Sequence, residues 1–218
     1  MNDTQRSAEL VWLKSRTESS TDTPKRAKRK IKILESARKV LAEEGYAKFT
    51  LRRIAAESEL HLKSLQRYFP TKRELLTSAI EYTVHTYYEE QYSRIFEQEH
   101  ISTPRDQLLV VIDYLLRDSR SSFTSRFFPE LWALASHDED AAAALDSGYT
   151  LHRANFAGLI RAMNPSLGEK AVAHRAVIIA MLLEGLVLVV GEGKPHHEEF
   201  EGLDEEVKKR ILDIVMAP

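Results

Sequence analysis

The 218-residue sequence contains no cysteine. Disulfides, thiolate metal sites and cysteine nucleophiles are thereby excluded, and a cytoplasmic setting is the expectation. Glycine and proline are sparse, at 8 and 7 residues, which favours long helices over a succession of tight turns. No alternating strand pattern and no internal repeat is evident. Long apolar runs are lacking too. The most apolar stretch, Ala176 to Val190, carries Glu184 and is shorter than the roughly 20 apolar residues of a spanning helix. Leu10-Val11-Trp12-Leu13 is too short for the apolar core of a signal segment, so no membrane association is expected. Nucleophile-elbow, phosphate-loop and dinucleotide fingerprints are missing as well. No catalytic residue and no cofactor is therefore expected. His196-His197-Glu198-Glu199 has neither the i, i+4 histidine spacing nor a partner ligand that a metal site needs, and reads as a solvated loop.

The net charge of -2 conceals an asymmetry. Residues 1–76 hold 18 Lys and Arg against 10 Asp and Glu, whereas residues 77–218 hold 13 against 23. A basic front on an acidic body attracts a polyanion at one end and repels it at the other.

The pattern along the chain is helical throughout. Residues 1–24 read as a flexible extension that ends in the polar linker Ser19–Pro24. Six basic residues in eight, Lys25 to Lys32, lead into a helix with Ile33, Leu34, Ala37, Val40 and Leu41 on one apolar face. Gly45 suits its end. Thr50 is placed to cap a short second helix with Leu51, Ile54 and Ala55 inward. After a turn at 58–60, a third helix is expected from about Leu62 to Tyr68, stopped by Pro70. Thr71-Lys72-Arg73-Glu74 is a capping box that opens a long helix through Val84 and Tyr87 to about Glu97. Beyond it, Thr103-Pro104, Pro129, Asp138, the box Ser166-Leu167-Gly168-Glu169 and Asp204 are the expected openings of five further helices.

Three short helices with two tight turns ahead of a long helix form a helix-turn-helix arrangement. The third helix would enter a major groove with Leu65 and Phe69 inward, and with His61, Lys63, Ser64, Gln66 and Arg67 outward. Lys and Arg reach guanine O6 and N7, Gln pairs with adenine, and Ser is tolerant. Thr50, Arg52 and Arg53 start the second helix, where backbone N–H groups and cations meet phosphate. Tyr68 and Lys72 flank the reading helix. The Lys25–Lys32 run has two readings, a solvated helix start or an arm that reaches DNA.

The segments Ile33-Leu34-Glu35-Ser36-Ala37, Glu44-Gly45-Tyr46, Phe49-Thr50-Leu51-Arg52-Arg53-Ile54-Ala55 and Leu65-Gln66-Arg67-Tyr68-Phe69-Pro70-Thr71-Lys72-Arg73-Glu74-Leu75-Leu76 resemble the N-terminal domain of tetracycline-repressor-like (TetR family) regulators, over about residues 30–80. The resemblance implies an all-α chain with a helix-turn-helix DNA-binding domain at 25–76. A helical effector-binding and dimerisation domain would follow at 77–218. It implies a homodimer on a palindromic operator of double-stranded DNA, usually a repressor, released by a small-molecule effector. It also implies that Thr50, Arg52, Arg53, Tyr68 and Lys72 contact phosphate and that Lys63, Ser64 and Arg67 lie in the reading helix. Three positions depart from the pattern. Glu59 stands where glycine is usual, His61 where a small capping hydroxyl is usual, and Gln66 where an aromatic is usual.

In the body, Tyr114, Phe123, Phe127, Phe128, Trp132, Tyr149 and Phe156 are numerous enough to line a pocket between helices, though for any one of them a core position is the commoner role. Polar groups in apolar helices point more sharply to a ligand, which singles out Arg117, His137, His152, His174 and Glu184. A carboxylate at 184 is costly unless paired. Its options are an effector, a dimer contact, or an ion pair with Arg175 or Arg153. The dimer interface is expected from about 169–190 and 204–216, packed as a four-helix bundle across a two-fold axis. Two other readings remain open: an activator or constitutive regulator with no small effector, and a helical enzyme or scaffold.

Overall fold

The computed structural model describes residues 23–84, 86 and 103–218. The expected extension at 1–24, apart from its last two residues, and the end of the long helix near Tyr87 and Glu97 lie outside the described residues. Among the described residues every α-helix expected after residue 24 is present, and there is no strand: α1 Pro24–Glu44, α2 Leu51–Glu57, α3 Leu62–Gln66, α4 Lys72–Val84, α5 Pro104–Asp118, α6 Ser122–Ala135, α7 Glu139–Met163, α8 Glu169–Val190 and α9 Leu203–Met216.

The chain forms two compact units. In described residues, the first comprises 23–84, 86 and 127–148, and the second 103–126 and 149–218. The first unit is therefore discontinuous in sequence.

In the first unit, α1 starts where Pro24 follows Thr23, whose hydroxyl accepts from the Arg26 N–H at 3.4 Å. Its inner face of Ala27, Ile31, Leu34, Ala37 and Leu41 is buried against α2 and α4. Tyr82 of α4, buried itself, donates its hydroxyl to the Glu35 carboxylate at 2.5 Å. The Thr50 and Thr71 hydroxyls cap as expected, accepting from Arg53 N and Glu74 N, each at 3.1 Å.

In the second unit, α8 packs on α5 and α9 through Val172, Ala176, Ile179, Leu183 and Val187. Arg175 donates to the carbonyls of Val215, Ala217 and Pro218 at 2.8–3.2 Å, which ties the end of the chain to α8. By length and composition α8 is also apolar enough to cross a membrane, the one such helix among the described residues.

Three helix starts differ from expectation. α6 begins at Ser122, because the Ser121 hydroxyl accepts from Thr124 N at 3.1 Å, so Pro129 lies inside the helix. Ser166 does not cap α8. Gly168 takes that position, the Ser166 hydroxyl donates to Asn164, and Glu169 pairs with Arg161 at 2.7 Å. Asp204 does not cap α9, since Gly202 at φ 72° starts the helix and leaves Asp204 free to pair with Arg120 at 2.7 Å.

Candidate nucleic-acid interface

The turn between α2 and α3 sets the direction of the reading helix. Glu59 N donates to Ala56 O at 3.1 Å and Leu60 N to Ala55 O at 2.8 Å, the paired bonds of a Schellman motif. That motif needs one residue in the left-handed region, and Glu59 fills it at φ 57°. The usual preference for glycine at this position follows directly. The buried Ser58 hydroxyl returns a bond to Ile54 O at 2.7 Å.

Helix α3 is short. His61 occupies the N-cap with no side-chain bond, and the helix ends at Gln66, two residues before the expected Tyr68. There the Tyr68 N–H turns to Leu65 O at 2.8 Å and tightens the last turn. Leu65 and Phe69 are buried, at 0% and 2% exposed. His61, Lys63, Gln66 and Arg67 are exposed, and Ser64 is half-buried. One face of α3 is thus held by apolar contacts while the other presents two cations, an amide and an imidazole to solvent.

The candidate phosphate contacts divide. Arg52 is exposed. Arg53 is clamped: its Nε and Nη2 donate to the Glu44 carboxylate at 2.5–3.1 Å, and its Nη2 donates to Glu57 at 2.7 Å. Glu57 also takes Lys39 Nζ at 2.7 Å. The bonds from Lys39 and Arg53 hold the Glu57 carboxyl below its usual range. Arg53 therefore ties the end of α1 to α2. Lys72 Nζ sits 3.8 Å above the centre of the Tyr46 ring, a cation–π contact. The Arg26 guanidinium lies 5.0 Å over the Tyr68 ring.

Two residues of this site escaped the sequence reading. Tyr46 positions Lys72. Its own backbone N–H donates at 3.0 Å to the carboxylate of Glu130, on α6. That carboxylate also lies against Gly45, at φ 76°, where an added Cβ would meet it at 3.2 Å. Nothing in a local pattern links residues 84 positions apart. A further tie, Arg73 to Asp140, joins the start of α4 to that of α7 within the same unit.

The candidate ligand residues belong to different units. Phe127, Phe128 and Trp132 pack on one another in the first, with ring centres 5.6 and 6.2 Å apart. Tyr114, Arg117, His152, Phe156 and Glu184 belong to the second. Arg117 is exposed and donates to Asp113 O on its own helix at 3.2 Å. His152 is fully buried, edge-on to Phe156 at 4.8 Å. Burial, with the nearby Arg153 charge, lowers its pKa to about 3, so the imidazole is neutral. Glu184 accepts from the Tyr149 hydroxyl at 3.2 Å. Arg175, one of its two expected ion-pair partners, is engaged with the C-terminal carbonyls instead. In the 196–199 loop, the His197 ring packs edge-on against Phe200 at 5.2 Å.

Comparison with known proteins agrees with this geometry. Residues 33–79 match the family model described as bacterial regulatory proteins, tetR family. The chain is 27% identical over 156 residues, 70% of its length and 72% of the relative's, to an uncharacterised HTH-type transcriptional regulator in the dhlA 5' region of Xanthobacter autotrophicus. Among solved structures, the reduced form of NemR from E. coli aligns with a TM-score of 0.67 at 18% identity, covering 88% of this chain and 100% of that one. A putative transcriptional regulator from Saccharomonospora viridis in complex with choline aligns with 0.65 at 16%, covering 88% and 97%. At such identities these two structures share the fold.

Proposed function

Residues 33–79 match the tetR family of bacterial regulatory proteins, and from that premise we propose that this chain is a member of the family and a sequence-specific DNA-binding repressor. It works in the cytoplasm as a homodimer on a palindromic operator. A small apolar or aromatic effector entering the helical body releases it.

The observation that carries the reading is the two-sidedness of α3. Leu65 and Phe69 are buried while Lys63, Gln66 and Arg67 stand in solvent. Lys63 and Arg67 suit guanine edges and Gln66 suits adenine, with Thr50, Arg52, Tyr68 and Lys72 on flanking phosphates. Arg53, held by two carboxylates, acts by positioning α2.

Dimerisation is supported by the outer face of α8. Val177, Ile178, Met181, Leu182, Leu188 and Val189 are exposed, Met181 at 68%. They recur at the i, i+1, i+4, i+5 spacing of one helix face. An apolar stripe of this kind on a soluble regulator marks a protein interface, and a second copy supplies the matching stripe across a two-fold axis. The effector reading draws on the aromatic residues of the body and on the neighbour crystallised with choline.

The test is selection of binding sites from a random duplex library, followed by titration at several salt concentrations. A palindrome with half-sites about one helical turn apart is the expected result. Binding that ignores sequence would overturn the reading.

A further inference from the structure

Helix α1 starts with more cations than its fold needs. Of the run 25–32, Ala27 and Ile31 are buried, and Lys25, Arg26, Lys28, Arg29 and Lys32 are exposed. Lys25, Lys28, Arg29 and Lys32 recur at i, i+3, i+4 and i+7, so they form one stripe. Of these four, only Lys32 is held by a carboxylate among the described residues, that of Glu59 at 2.5 Å. Four like charges along one face repel one another and destabilise an isolated helix. Stability does not account for the pattern.

The position of the stripe is fixed at both ends of the reading helix. Lys32 bonds Glu59 in the turn that precedes α3. At the other end, Arg26 lies over Tyr68 and Lys30 lies 5.8 Å over the Phe69 ring. The first two turns of α1 therefore run alongside α3 from its entry to its exit. They are helical from Pro24, capped by Thr23, so this segment is a rigid rail and not an extended arm.

We propose that Lys25, Lys28 and Arg29 form a second duplex-contacting surface, gripping backbone phosphates next to the groove that α3 reads. Lys32 is a fourth contact held in reserve by Glu59. The surface carries no sequence information, because ammonium and guanidinium groups on a backbone position a protein without reading bases. It adds affinity, salt dependence and speed of encounter. The inference rests on the reading of α3 given above.

The test replaces Lys25, Lys28 and Arg29 by glutamine, a good helix former, with circular dichroism to confirm the fold. Affinity is measured against salt on two probes: a duplex selected by the wild-type protein and a scrambled duplex of equal length. Removing three phosphate-binding cations from each of two protomers should lower the slope of log affinity against log salt by about five. Affinity at low salt should fall by about 1,000-fold or more on both probes, leaving the selected-to-scrambled ratio unchanged. Trimming the flanks of the selected duplex should weaken the wild type and leave the triple variant unmoved. Glu59→Gln should raise affinity and slope, and lose that effect in a Lys32→Gln background. An unchanged slope in the triple variant would overturn the proposal. A wild type that binds both probes equally would instead sink the reading of α3, and the slopes on the scrambled duplex would still decide this one.

Discussion

Lys63 and Arg67 stand in solvent on or beside a helix of five residues, whereas His152 is fully buried in the middle of one of twenty-five. In the first unit, short helices hold charges outward, and the ion pairs that shape the surface join neighbouring elements: Glu44 to Arg53, Glu57 to Lys39, Glu59 to Lys32. In the second unit His152 is drawn inward as a neutral ring and Glu184 rests against the Tyr149 hydroxyl. Under the proposed function, the difference follows from what each region would meet. A duplex is always a polyanion with polar edges, so a surface built for it is recognisable without knowing its sequence. An effector is met by apolar and aromatic side chains, which are also what a helical core is made of.

The sharpest way to break the comparison is to remove the apolar support behind the exposed charges. Leu65→Ala leaves Lys63 and Arg67 in place but empties a fully buried site, at a cost of about 2–5 kcal/mol. Thermal unfolding should record that loss, and binding to a selected duplex should collapse with it. Placing a charge on the other region's exposed apolar stripe should act on assembly alone. Met181→Lys, at a side chain 68% exposed, is expected to give a folded monomer by sedimentation at micromolar concentration, with operator affinity lowered by loss of the second half-site.

The buried histidine sharpens the contrast through pH. Its folded pKa is about 3 against 6.5 when exposed. Between those values the unfolded chain binds the extra proton, so stability rises with pH and is lost as pH falls below about 6.5. From pH 7 to pH 5 this group alone should remove roughly 2 kcal/mol. His152→Leu should flatten that part of the stability profile; an unchanged profile would show that the ring is hydrated in solution.

The smallest effects belong to the surface network of the first unit. Glu59→Gly relieves a side chain held at φ 57° and should raise the unfolding midpoint by roughly 2–4 °C. Glu130→Ala removes the acceptor for Tyr46 N–H and should weaken duplex binding several-fold by loosening Lys72. Glu130→Gln keeps an acceptor oxygen and should restore most of the binding.

How much of this was legible in the sequence depends on range. Thr50, Thr71, Thr103 and Asp138 act as caps within three residues of their partners, and their helices began where local chemistry placed them. Ser166 and Asp204 had equally good local credentials but were outcompeted, by Gly168 and Gly202 at the caps and by Arg120 as a partner for Asp204. Pro129 suits a first turn, but Ser121 supplies an earlier one. In the interface, the exposed face of α3 followed from spacing alone. The clamping of Arg53, the perch of Lys72 on Tyr46 and the reach of Glu130 depend on tertiary contacts, for which one sequence offers no signal.

Base-edge reading by the outward residues of α3 carries the proposed function. Its most direct test is to repeat site selection with Lys63→Ala, Gln66→Ala and Arg67→Ala beside the wild type. Each variant should relax the preference at its own position in both half-sites, at a cost of about 1–3 kcal/mol for the original sequence. If all three variants select the wild-type sequence with wild-type affinity, α3 is not the reading element and the account is wrong.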